Sequence, residues 1–204
     1  MQTMRRRTLA LAGLALLVTA TTAWAQAPVR VRGTIEKVDG TTLQVKTREG
    51  QNVTVKLAEP PRIAAMEKSS LADIKEGSFI GVSAMPQPDG SQKAYGIHIF
   101  LDSQKGVVAA RFSNWDGRPG STMTNANVAT TVAGKDGQDL LVKYPDGEKK
   151  VTVPPGTPIA RYAPGSAADL KVGAKVFVAA AKKEADGTLT APNIAVGRTI
   201  DPPQ

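Results

Sequence analysis

His98 is the sole histidine of the 204-residue chain, and cysteine is absent. A metal site would therefore need carboxylates gathered around one imidazole. No His, Asp or Glu group in the sequence has ligand spacing. In Gly96-Ile97-His98-Ile99-Phe100 the imidazole alternates with apolar neighbours, which turns it outward or toward a barrel mouth. Met66, Met85 and Met123 offer thioethers that suit Cu(I), but they are far apart and show no Met-x-x-Met pattern. Filling gaps in a core is their plainer role. Nucleophilic catalysis lacks its parts: there is no Gly-x-Ser-x-Gly, and a serine triad would rest on His98 alone. No glycine-rich loop precedes a helix to cradle phosphate. The chain thus reads as no enzyme, with no catalytic residue, no cofactor and no metal ligand set.

Trp115, Asp116 and Arg118 bring an aromatic face, a carboxylate and a guanidinium within four residues. With His98 they are the candidate ligand-binding residues. The competing role for Trp115 is an anchor that plugs the seam between two lobes, while Asp116-Gly117 and Pro119-Gly120 shape turns. The stretch lies in Leu101–Asn125, too long for an ordinary connection, and long ordered loops are often functional.

The elements that must position these residues occur twice. Asp39-Gly40, Asp73-x-Lys75-x-Gly77 and Asp89-Gly90 recur as Asp136-Gly137, Asp169-x-Lys171-x-Gly173 and Asp186-Gly187, at offsets of 97, 96 and 97 residues. Such a constant offset marks a duplication. Within the first copy, Val29, Val31, Gly33 and Ile35 alternate with polar residues, as do Val53, Val55 and Leu57, which is the period of half-buried strands. Asp-Gly marks hairpin turns. Pro60-Pro61 forbids both a helix interior and a central strand. Ser70 to Gly77 reads as a short capped helix. Each copy is then β-β-β, short helix, β-β, the plan of an OB-type barrel. The expected fold is all-β: two tandem five-stranded OB-like β-barrels at 26–103 and 126–198, an ordered linker at 104–125, and a flexible tail at 199–204.

Arg5-Arg6-Arg7, the uncharged stretch Thr8–Thr22 and Ala23-Trp24-Ala25 form a cleavable signal peptide over 1–25, with cleavage near Ala25. The expected location is periplasmic, with no membrane span in the mature chain. The formal charge is +8, and removing three arginines from 26 basic residues leaves 23 against 18 acids. This modest excess is scattered, and the outward positions Gln44, Lys46, Arg48, Asn52, Thr54 and Lys56 carry no aromatic ring for base stacking. Nucleic acid is not an expected partner.

Gly33-Thr34-Ile35-x-x-Val38-Asp39-Gly40, the Asp-x-Lys-x-Gly element, Asp89-Gly90 with Ala94 and Ile97, and the linker Trp115–Asn125 together resemble an uncharacterised family of exported bacterial proteins. The resemblance spans about residues 29–198. It implies tandem OB-like domains of unknown function. Members sometimes carry a metal-transporter permease label, but a permease needs several spans and this chain has one apolar segment. The function expected is an exported, non-enzymatic binding or accessory protein for an unknown small ligand or a periplasmic protein. The alternative is a periplasmic metal-handling accessory that uses His98 with nearby acids.

Overall fold

The computed structural model describes residues 27–134 and 137–203. The expected signal peptide and its cleavage site lie outside the described residues, as do Asp136 of the second copy's first turn and Gln204. Twelve strands account for the described chain: β1 Val29–Asp39, β2 Thr42–Thr47, β3 Asn52–Lys68, β4 Phe79–Pro86, β5 Gln92–Ile99, β6 Arg111–Asn114, β7 Thr122–Gly134, β8 Gly137–Tyr144, β9 Gly147–Val153, β10 Ile159–Pro164, β11 Lys175–Lys183 and β12 Leu189–Gly197. Among the described residues no helix is long and apolar enough to cross a membrane.

The strands close into five-stranded rings, but each ring draws on both sequence copies. In the first, β1 pairs β2, β2 pairs β3, β3 runs parallel to β12, β12 pairs β11, and β11 returns to β1. In the second, β4 pairs β5, β5 runs parallel to β9, β9 pairs β8, β8 pairs β7, and β7 returns to β4. Contiguous lobes at 26–103 and 126–198 are therefore not the units that pair. The tandem arrangement is replaced by an exchange in which each copy lends its last two strands to the other. The same alternating strands occur in both copies, so the inward faces match whichever copy supplies the partner.

Alternation along each strand fills the rings. Ile35, Leu43, Val45, Val55, Ile194 and Val196 meet in the first core. Ile80, Val82, Leu140, Val142, Val151 and Val153 meet in the second. All are buried, and each such aliphatic side chain contributes about 1.5–3 kcal/mol by leaving water.

β3 continues through Pro60-Pro61, residues expected to exclude a central strand. Its ladder to β2 ends at Lys56 and its ladder to β10 starts at Ala64. The prolines thus sit where neither antiparallel neighbour is paired, and their missing N–H groups cost nothing there. The far half of β3 belongs to the junction between rings: Ala64–Lys68 pairs antiparallel with β10, and β10 runs parallel to β5.

The expected short helices shrink to single 3-10 turns, Leu71–Asp73 and Ala167–Asp169. The repeated aspartate explains itself here. Asp73 accepts from the Ser70 N–H at 2.9 Å, and Asp169 accepts from the Ser166 N–H at 2.8 Å. Glycine follows four residues later because Gly77 and Gly173 take φ of 81° and 87°, a left-handed conformation open to glycine. The tail expected to be flexible is pinned as far as Pro203. Thr199 Oγ1 accepts from the Lys68 N–H, Lys175 pairs with Asp201, and Pro202 is buried.

Candidate functional site

The two rings leave a seam, and the unrepeated segment folds across it. β6 pairs with β7, and the chain then turns at Arg118-Pro119-Gly120-Ser121. Proline before a glycine with φ of 72° suits a turn that needs positive φ at its third position. Ser121 Oγ accepts from the Arg118 N–H at 3.1 Å, donates to the Arg118 carbonyl at 2.7 Å, and closes the loop. This loop lays Trp115 and Asp116 onto the outer face of the first ring.

What they cover is Arg32, on β1. Alternation turns Arg32 out of its barrel, yet it is only 5 % exposed. Its guanidinium donates twice to Asp116, at 2.6 and 3.1 Å. It also lies against Trp115 and Phe177, with ring centroids 4.8 and 5.0 Å away. Arg30 reaches the same carboxylate at 3.2 Å and the same indole at 4.9 Å. Burial pulls the Asp116 pKa upward, but the hydrogen bonds and charge of Arg32, and then of Arg30, overcome it and hold the group at about 2. Two cations sharing one carboxylate leave this spot net positive. Trp115 meets Phe177 edge-on and packs in a junction cluster with Met66, Ala160, Ala195 and Phe177. It anchors the linker and, half-buried, still presents part of its face to open space.

That open space is a cavity of about 600 Å³ between the rings. Trp115, Phe177, His98, Phe100 and Tyr162 are in its lining. Phe100 stacks on Tyr162 at 5.4 Å, and His98 meets both rings edge-on at 4.7 and 5.6 Å. A second cavity of about 170 Å³ shares His98 and Trp115 and extends to Tyr95 and Met66. The size of the larger cavity and its mixture of rings and a few polar groups are those of small-molecule sites.

Of the four residues singled out from sequence, the structure brings Trp115 and His98 to the same cavities. Asp116 instead holds Arg30 and Arg32, and Arg118 lies over Tyr95 at 4.1 Å, lining neither cavity. His98 does face out of its barrel, as expected, but the junction covers it and it is 7 % exposed rather than a surface residue. Gly81 lies directly against the ring, and a Cβ there would overlap it. Among the described residues no three His, Asp or Glu side chains converge as a metal site. Arg32, Phe100, Tyr162 and Phe177 were not singled out from sequence. Their signal was a large or charged residue at an outward strand position or, for Phe100, just past the end of β5, which says nothing of what covers that face.

Burial drives the His98 pKa down to about 4 from 6.5. Above pH 6.5 the imidazole is neutral folded or unfolded, and titration costs nothing. Between 6.5 and about 4 the unfolded chain takes up a proton that the folded chain refuses, so stability falls with falling pH. At pH 4 the loss is on the order of 3 kcal/mol. Urea unfolding at pH 7 and pH 4.5 should show most of this loss in the wild type and little of it in His98→Leu. An equal loss in both proteins would show that another group carries the slope.

The fold and seam together define an all-β protein of closed five-stranded barrel construction with extra strands and an inter-ring cavity. Residues 32–98 match a family described as "Domain of unknown function (DUF5666)". That match fits the uncharacterised family the sequence resembles, and it spans almost all of β1 through β5. No curated protein and no solved structure matches the chain.

Proposed function

We propose that the protein is an exported, non-enzymatic binding protein that holds a small ligand in the cavity between its two OB-like strand rings. The observation that carries this reading is the cavity itself: about 600 Å³, walled by Trp115, Phe177, Phe100, Tyr162 and His98, and closed on one side by the only long segment without a counterpart in the repeat. Rings that could have packed against each other instead leave space between them. Tyr162 keeps its proton, burial having pushed its pKa up to about 12, and His98 is neutral at pH 7, so these walls stay uncharged. Periplasmic location and removal of residues 1–25 belong to the same proposal, on the strength of the signal-like N-terminus.

Trp115 is the sole tryptophan after residue 25 and stands on the cavity wall, so its fluorescence reports occupancy. Titrating residues 26–204 with N-phenyl-1-naphthylamine, a neutral aromatic probe, should change indole emission saturably at micromolar concentrations. Ala180→Trp, which puts a bulky ring on the cavity wall, should weaken that binding at least tenfold while thermal unfolding stays cooperative. Saturable binding that Ala180→Trp leaves intact would place the probe elsewhere and refute the cavity reading. The metal-handling alternative needs acids beside His98, whose ring contacts in the seam are Phe100 and Tyr162.

A further inference from the structure

We infer that the ligand of this cavity is an aromatic anion: a flat ring system carrying a carboxylate or a comparable acid group. The inference rests on the cavity reading above and adds the chemistry of the occupant.

Charge carries the first half. Eight arginines lie among the described residues. Six have a partner that accounts for them. Arg30 and Arg32 share Asp116, Arg48 pairs with Glu49, Arg161 with Glu67, Arg198 with Glu67 and Asp169, and Arg118 lies over Tyr95. Of the arginines among the described residues, Arg62 and Arg111 alone have neither an ion pair nor an aromatic ring. Both line the same cavity, one from β3 of the first ring and one from β6 of the linker. Arg30, already half of an over-subscribed pair, lines it too. No Asp or Glu is on its wall. Arg118 aside, the paired guanidiniums meet carboxylates; here Arg62 and Arg111, with Arg30, line a space whose wall has none. An arginine fork suits a carboxylate, phosphate or sulfonate, which it can grip through two parallel N–H bonds.

The rings carry the second half. Trp115 against Phe177 and Phe100 stacked on Tyr162 put two aromatic pairs in the lining, so a planar body finds ring faces and edges to pack on. An aliphatic chain would gain burial from these walls, but no stacking geometry.

The test compares 2-naphthoate with 2-naphthamide, which share one ring system and differ in charge, and with decanoate, which keeps the charge and loses the ring. Binding to residues 26–204 is measured by calorimetry and Trp115 quenching at 20 mM and 200 mM salt. The expected result is naphthoate at least tenfold tighter than naphthamide, with the advantage shrinking at the higher salt, and decanoate weaker than naphthoate. Arg62→Gln with Arg111→Gln should lower naphthoate binding toward the naphthamide level and leave the melting temperature unchanged, since both side chains are exposed and unpaired among the described residues. Equal binding of naphthoate and naphthamide would overturn the anion inference and leave the cavity reading standing. A preference for decanoate would overturn its aromatic half. Failure of all three to bind would remove both readings together.

Discussion

Cutting the backbone between Gly106 and Val107, at an inserted protease site, should leave a particle of unchanged size. The two fragments are expected to elute from a sizing column as one 1:1 complex and to part only in denaturant. The reason lies in the pairing. Six ladders join strands that precede the cut to strands that follow it: β1–β11, β3–β12, β4–β7, β5–β9, β3–β10 and β5–β10. The loop that is cut carries none of them, and Val107 is among the most exposed apolar residues of the chain. Each fragment made alone should fail to form a stable monomer, because the open edges of β1, β3, β4 and β5 would lack neighbours and both cores would be half exposed. After cutting, the unfolding midpoint should rise with protein concentration, since refolding becomes association. Two separately eluting, folded fragments would show that each copy closes on itself.

The second large effect concerns the seam. Asp116→Ala removes the sole carboxylate that Arg32 touches and strands a guanidinium that is 5 % exposed. Breaking a buried pair typically costs 3–5 kcal/mol. With the Asp116 side chain itself 44 % exposed, solvent screening discounts this to about 2–3 kcal/mol. Arg32→Met combined with Asp116→Ala should recover much of the loss, because the stranded charge is then gone and the thioether can pack between Trp115 and Phe177. Chemical denaturation of the two single variants and the double variant measures the coupling. Additive losses would mean that the pair is not the fastener described. The acid behaviour follows with its sign fixed by the lowered Asp116 pKa. The pair's contribution is complete above pH 3.8 and is lost as pH falls toward about 2, just below the window in which His98 acts.

The parts of this architecture that depend on local chemistry were readable in the chain. Asp39-Gly40 turns because Gly40 accepts φ of 58°. The Asp-x-Lys-x-Gly element is a serine N–H tied to an aspartate, followed by a left-handed glycine, and both occurrences keep that geometry. Strand alternation likewise placed Ile35, Leu43, Val45 and Val55 inside. The exchange of strands was not readable, because β4 and β11 present the same alternating faces and periodicity cannot say which copy a strand completes. Pro60-Pro61 misled for a related reason. Proline excludes a paired central position, but whether a position is paired depends on where the neighbours end. In the seam, sequence proximity joined Arg118 to Trp115, while the fold sent Arg118 to Tyr95 and brought Arg32 from 83 positions earlier in the chain. Burial of Arg32 and His98 is set by the linker and β10, elements far away in sequence.

The unrepeated segment has one more consequence, for stoichiometry. Two identical copies of a β1–β5 unit could trade their last strands as a homodimer and build the same pair of rings. In such a dimer every embellishment appears twice, once in each subunit, so any cleft between the rings is walled alike from both sides or not at all. Joining the copies in one polypeptide removes that constraint. Leu101–Asn125 occurs once and crosses one side of the junction, so Trp115, Asp116 and Arg111 have no twin across the molecule. Duplication supplied the rings, and fusion lets a segment that occurs once wall the larger cavity from one side only, so the proposed ligand would bind at one per chain.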